Sequence, residues 1–154
     1  MNFKKILIAV DNSIYAEKAA ETGYELAEKF NAAVALLNII EPIPQTADPD
    51  FVMAPVFIEM YDNSEANSHL LLSGIEQKYA KGLSTTYLTS LDTASHGILQ
   101  QAEEWGADLI VVGTHGRTGL SHFLMGSVAE HVARKAACPV LIVPNKEDST
   151  EHEQ

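Results

Sequence analysis

The chain is 154 residues long, with 46% apolar and 20% charged residues and a formal charge of −11. That length suits a single domain with a substantial core, and the composition is that of a globular chain, not a disordered one. The excess of carboxylates excludes unspecific attachment to nucleic acid or to an anionic membrane surface, because both need a basic face.

The first apolar run, Ile6-Leu-Ile-Ala-Val10, is continuous, as in a strand buried on both faces. Lys4-Lys5 precede an apolar run too short for a signal peptide, and no segment has the apolar length to span a bilayer. Cytoplasm is therefore the expected compartment. Asp11-Asn-Ser13 supplies turn and cap chemistry, and Ala16, Ala19, Ala20, Gly23, Tyr24, Ala27 and Phe30 then recur at helical spacing. Asn31 closes that helix, and Ala33 to Ile40 reads as a second buried strand. Glu41 to Pro55 holds four prolines and reads as a loop. Helical character resumes before Tyr61 and runs through Ala66, Leu70, Ile75 and Tyr79 to Lys81-Gly82. Thr85 to Thr89 is a third strand, rich in β-branched residues. Asp92 or Thr93 can cap a helix through Ile98, Leu99, Ala102 and Trp105, stopped by Gly106. Leu109 to Val112 is the fourth strand, Ser127 to Ala137 the last helix, and Pro139 to Val143 the fifth strand.

Strands alternating with helices imply right-handed crossovers and a parallel sheet covered on both faces, an α/β class. Residues 1–144 form that domain, and the polar, acidic stretch from Asn145 to Gln154 is expected to be a disordered tail. In an open sheet of this kind ligands bind beyond the carboxyl ends of the strands, where strand order reverses. Ala9-Val-Asp11, Ile39-Ile-Glu41 and the stretch from Gly113 onward sit at such ends. A doubly wound order with the first strand central brings them together.

The most informative of these stretches runs Gly113-Thr-His-Gly116-Arg-Thr-Gly119, then on to Gly126-Ser127. A strand, a glycine-rich loop and a helix start turn backbone N–H groups toward an anion. The spacing is Gly, two residues, Gly, nine residues, then Gly-Ser, which is neither the dinucleotide fingerprint nor a Walker loop. Gly113 and Gly116 either admit a phosphate close to the backbone or serve a turn that needs positive φ. Ser127 meets the ligand, opens a capping box with Glu130, or does both. Arg117 reaches a terminal phosphate or is a solvated charge. His115 is a structural hydrogen-bonder or a catalyst, and Asp11 is an N-cap or a carboxylate for a ribose hydroxyl or base nitrogen. His69, His96, His122, His131 and His152 are scattered, and no cluster suggests a transition-metal site. Cys138, the single cysteine, cannot form an internal disulfide and reads as a buried, inert thiol. Met53, Met60, Phe57 and Tyr61 are candidates for a binding flap or for core packing.

Together these residues resemble the universal stress protein family, in its ATP-binding branch. The resemblance extends from Lys5-Ile-Leu-Ile-Ala-Val-Asp11 to Cys138-Pro-Val-Leu-Ile-Val-Pro144, and Gly113, Gly116, Gly126 and Ser127 are its most specific part. It implies a Rossmann-like, open five-stranded parallel sheet of order 3-2-1-4-5. It also implies a homodimer joined through the last strand, Pro139 to Val143. Carried over by position, Ala9, Val10, Asp11 and Ile39 surround a nucleoside. Val112, Gly113, His115, Gly116, Arg117, Gly126, Ser127 and Val128 surround ribose and phosphates. ATP or another adenine nucleotide is the implied ligand, with Mg²⁺ or Mn²⁺ as its candidate companion. Asn38 departs from the family, where many relatives carry histidine, and the segment from Glu41 to Gly82 is the family's variable part. No water-positioning residue stands out beside the phosphate donors, so binding without efficient turnover is favoured over a slow ATPase. A purely structural dimer in which the loop is merely a turn is the blandest alternative.

Overall fold

The computed structural model describes residues 1–42, 54–115 and 125–145, with the backbone alone over 54–63. Five strands alternate with four helices: β1 Lys5–Ala9, α1 Ile14–Phe30, β2 Ala33–Ile40, α2 Ala54–Tyr79, β3 Thr85–Leu91, α3 Ala94–Trp105, β4 Leu109–Gly113, α4 Ser127–Lys135 and β5 Val140–Val143. The strands form one sheet in the order β3-β2-β1-β4-β5, and every adjacent pair is parallel. The expected α/β class and strand order are thus the observed ones. Strand β1 lies in the middle because it is apolar on both sides. Ile6 and Ile8 enter the core beneath α1 and α2, while Leu7 enters the core beneath α3 and α4. All three are fully buried.

Helix α1 begins where Ser13 caps it, the Ala16 N–H donating to the Ser13 hydroxyl at 3.3 Å. It ends where Asn31 turns left-handed at φ 53°, a conformation asparagine tolerates. Its buried stripe is made of small residues plus Tyr24, so the helix lies close on the sheet. At Gly23 an added Cβ would stand 2.5 Å from Ile8 Cδ1, so no larger residue fits there as the chain is packed.

Helix α2 starts at Ala54, inside the stretch read as a loop from Glu41 to Pro55. A proline near a helix start costs little, since first-turn N–H groups have no intrahelical partner. Residues 43–53 of that stretch lie outside the described residues. Against β3 the partnership of α1 and α2 is partly polar: the Tyr24 hydroxyl pairs with Thr85 at 2.8 Å, and Ser68 with Thr89 at 3.1 Å. Tyr87 donates to the Glu76 carboxylate. Burial pushes the Tyr24 and Tyr87 hydroxyls up to about 12, the Glu76 carboxylate adding to the effect at Tyr87. Among the described residues no helix is long and apolar enough to cross a membrane.

Candidate functional site

The carboxyl ends of β1, β2 and β4 open on one side of the sheet, and a cleft of about 660 Å³ lies above them. The order 3-2-1-4-5 reverses direction at β1, so the chain leaves β1 and β4 toward opposite faces and parts there. That parting creates the cleft. Ala9, Val10, Asp11, Ile39, Val112, Gly113, His115, Gly126, Ser127 and Val128 all line it, ten of the twelve residues anticipated. The other two, Gly116 and Arg117, lie outside the described residues. So do Met53 and the side chains of Phe57, Met60 and Tyr61.

At one end of the cleft stands the start of α4. Gly126 is its N-cap, with φ −59° and ψ 152°, and no side chain caps the helix. Ser127 is therefore the first helical residue, and the expected capping box does not form. A serine caps only from the half-in position before the first turn, and Gly126 occupies that place. The Glu130 N–H is satisfied by Gly126 O at 3.0 Å. The N–H groups of Ser127, Val128 and Ala129 precede that bond, so the helix itself offers them no acceptor. All three residues line the cleft, which gives this end the positive pole of a helix dipole.

Close approach of the chain to itself, not positive φ, explains the two described glycines of the loop. Among the described residues only Gly82 and Gly106 are glycines at positive φ. A Cβ on Gly113 would stand 2.9 Å from both Cβ and the carbonyl oxygen of Tyr15, and one on Gly126 would stand 2.8 Å from the carbonyl oxygen of Thr114. Gly126 also donates its N–H to that Thr114 oxygen at 2.8 Å, and Thr114 donates to Val143 O at 3.2 Å. Beside them the His115 ring leans on Tyr15, centroids 5.2 Å apart. The loop's stem is thus threaded between α1, α4 and β5.

At the other end, β1 and β2 are locked together where they finish. Val10 N donates to Leu37 O at 2.8 Å, and Asn38 Nδ2 donates to Val10 O at 2.9 Å. Asp11 is not the N-cap of α1, since Ser13 takes that role; instead the Asp11 carboxylate accepts the Ser13 N–H at 2.8 Å. One carboxylate oxygen thereby fixes the turn, on a side chain that lines the cleft. Glu41 at the rim accepts the Ala94 N–H at 3.3 Å, tying β2 to the first turn of α3. Nearby, His96 sits 2.5 Å from Asp92 and holds that carboxyl below the usual carboxylate range.

The apolar floor comes from Leu37, Ile39, Ile98 and Val112, and a third wall comes from Ser64, Asn67, Ser68 and Leu71 of α2. Reading the sequence did not assign this third wall, because α2 belongs to the stretch with the weakest pattern. Asn38 was legible as a lone polar residue in an apolar strand, but nothing local says that its amide reaches a cleft. Among the described residues no group of three or more His, Cys, Asp or Glu is arranged to hold a metal. Cys138 is half-buried, and burial, helped by the nearby Asp108 carboxylate, pushes its thiol up.

The description of the universal stress protein family matches residues 2–144. A universal stress protein of Bacillus subtilis is 34% identical over 146 residues, covering 92% of this chain and 99% of the relative. Among solved structures, a universal stress protein from Lactobacillus plantarum superposes with a TM-score of 0.81 at 22% identity, over 93% of this chain and 99% of that one. A universal stress protein crystallised in complex with cAMP gives 0.68 at 24% identity, over 93% and 98% of the two chains. One from Archaeoglobus fulgidus in complex with dAMP gives 0.62 at 23%, over 92% and 98%. At those identities the structural likeness speaks for the fold.

Proposed function

The chain belongs to the universal stress protein family, and on that premise we propose that it binds an adenine nucleotide, ATP foremost, as a regulatory protein of the stress response. One observation carries the reading. A single cleft joins an uncapped helix start to a corner lined by Asp11, Asn38 and Ile39, so phosphates and a nucleoside each meet complementary chemistry. Its volume of about 660 Å³ lies within the range of small-molecule sites. The two solved relatives in complex with cAMP and dAMP add support, since both ligands carry adenine and phosphate.

In this reading the N–H groups of Ser127, Val128 and Ala129 face the phosphates, and Gly116 and Arg117 are assigned to the same phosphates. Val112, Gly113 and His115 flank the ribose and its first phosphate, and Ala9, Val10, Asp11 and Ile39 enclose the nucleoside. Such a binding mode needs no basic surface, which suits a chain of formal charge −11. The residues present fit the nucleotide. Mg²⁺ or Mn²⁺ would be held chiefly by phosphate oxygens and water, a habit of small hard cations.

Regulation without rapid turnover is the favoured mode. The carboxylates that line the described cleft are Asp11 and Glu41, and both stand at its nucleoside end. In-line attack on a phosphate would need a group at the opposite end. Binding would then act by favouring one conformation or one assembly over another. The assembly proposed is a homodimer through Pro139 to Val143, in the cytoplasm, with residues 145–154 as a tail outside the domain.

Thermal unfolding with ATP and magnesium, followed together with phosphate release, tests the reading. A rise in melting temperature with slow release is expected. An unchanged melting temperature refutes nucleotide binding, and release at tens of turnovers per second, within the ordinary enzyme range, refutes the regulatory mode.

A further inference from the structure

Strands β3 and β5 are the two edges of the sheet, and among the described residues β3 has β2 as its one neighbour. Just past β3, Asp92 N donates to Ile40 O at 3.1 Å, so the even-numbered residues of the strand turn their backbone groups toward β2. Thr85, Tyr87 and Thr89 turn theirs outward, and no described residue pairs with those N–H and C=O groups. Natural edges are guarded by charge, proline, a bulge or a covering element. Residues 83–91 contain no charged residue and no proline. Register with β2 runs without a bulge from Val34↔Thr85 to Ile40↔Leu91, and Leu91 is 51% exposed.

The order of residues along that edge is nearly symmetric about its middle. Leu83-Ser-Thr85-Thr-Tyr87-Leu-Thr89-Ser-Leu91 reads alike from both ends, save that Thr86 answers Leu88. Antiparallel pairing of two copies about a two-fold axis at Tyr87 therefore sets Tyr87 opposite Tyr87, Thr85 opposite Thr89, Ser84 opposite Ser90 and Leu83 opposite Leu91. Aromatic and threonine pairs of this kind support antiparallel sheets, and no like charges meet. Tyr87 faces outward, so it makes a hydrogen-bonded pair with its copy, as Thr85 does with Thr89. The flanks agree as well. Gly82 falls opposite Asp92, which brings the exposed Lys81 of one copy beside the Asp92 carboxylate of the other. Parallel pairing would instead set lysine beside lysine.

We infer that the β3 edge is a self-association surface, on which a second copy of this chain pairs antiparallel about Tyr87 and extends the sheet. Helix α2 fits that arrangement. It packs on both β2 and β3, so its copy would stand two strand spacings away, about 9–10 Å, an ordinary distance between packed helices. From α2 the His69 ring rests on Tyr87, centroids 5.4 Å apart, and Glu76 accepts from the Tyr87 hydroxyl. An axis at Tyr87 exchanges the two ends of that arrangement, so His69 of each copy comes to the side of Glu76 of the other. The surface lies on the opposite edge from Pro139 to Val143 and does not depend on the nucleotide reading, so one chain can use both edges.

Amide hydrogen exchange read by NMR on the full chain, with mass followed by sedimentation, tests the pairing. Both are run over a hundredfold range of concentration, about 10 µM to about 1 mM. As mass rises, the amides of Thr85, Tyr87 and Thr89 are expected to gain about tenfold or more in protection. Those of Thr86 and Leu88, already turned toward β2, should change little. Thr86 is exposed, so Thr86→Lys should leave the melting temperature near that of the parent. It sets two ammonium groups diagonally across the axis and should raise the concentration needed for pairing about tenfold or more. Three results overturn the inference: no concentration-dependent gain at Thr85, Tyr87 and Thr89, association that protects the Val140–Val143 strand alone, or a Thr86→Lys chain that pairs as the parent does. Full protection of the three amides at monomer mass also overturns it, since the edge would then be covered within one chain.

Discussion

Replacing Gly126 by alanine perturbs the joint between the fourth strand's loop and α4. The added Cβ would stand 2.8 Å from the Thr114 carbonyl oxygen, where ordinary contact begins at 3.4 Å. The two segments must therefore part by roughly 0.6 Å, and both are backbone, so no rotamer change relieves the clash. Overpacking of this kind costs about 1–3 kcal/mol, and weakening the 2.8 Å bond from Gly126 N to Thr114 O adds up to about 1 kcal/mol. In a chain of this size, at about 2–4 °C per kcal/mol, that lowers the melting temperature by roughly 2–16 °C. The same displacement carries the N–H groups of Ser127 and Val128 away from the phosphate position. Nucleotide at about one hundred times its dissociation constant should stabilise the native chain by about 2.7 kcal/mol. The alanine variant should lose most of that gain. Scanning calorimetry with and without ATP reads both quantities. An alanine variant that melts within about 1 °C of the parent and shows the same nucleotide shift refutes the steric argument and the placement of the site together.

Three further predictions concern the scaffold. Gly23→Ala should destabilise by about 1–3 kcal/mol through contact with Ile8 Cδ1, and adding Ile8→Val, which removes that atom, should recover part of the loss in a double-mutant cycle of denaturant midpoints. Failure of the second change to compensate would mean that Gly23 is needed for another reason. Tyr24 and Tyr87, both raised to about 12, should resist ionisation in absorbance titration until well above the usual tyrosine range. Because their folded values are raised, their contribution is full below about pH 10, the unfolded value, and is lost as pH climbs toward 12. Tyr87→Phe should shrink that alkaline loss. The Glu17 carboxyl is held low mainly by its hydrogen bond from Lys78, at 2.7 Å. A lowered folded value gives stability that is present above about pH 4.3, the usual unfolded value, and lost as pH falls below it. Glu17→Gln should accordingly flatten the acid limb of the stability profile; an unaltered acid limb would show that the pair contributes nothing.

Much of the fold was legible because apolar runs and helical periods report directly on burial. Ala33 to Ile40 coincides with β2, and Asn31 and Gly106 do close their helices in left-handed conformations. The boundaries that moved did so for local reasons. Strand β3 runs on to Leu91 because it pairs with β2 up to Ile40, a partnership set by register and not by propensity. Helix α4 stops at Lys135, earlier than its periodic pattern, where Ala136 turns extended ahead of Pro139. The start of α2 fell within a proline-rich stretch whose composition masked it.

The candidate site divides along the same line. The order of residues alone was enough to mark Gly113, Gly126 and Ser127 as a loop leading into a helix, and Asp11 and Ile39 as strand ends, because those properties are local. It also set the family, since the spacing of the glycines is a linear pattern. Why the glycines must be glycines was decided only in three dimensions, where Tyr15 and Thr114 fill the space a side chain would need. The same holds for the caps: Asp11 and Ser127 were plausible N-caps by composition, and the turn geometry gave those roles to Ser13 and Gly126. Asn38 and the α2 wall entered the cleft only through packing, because contacts between β2, β1 and α2 join residues far apart in the chain, and no local pattern encodes which distant backbone carbonyl a buried amide will meet.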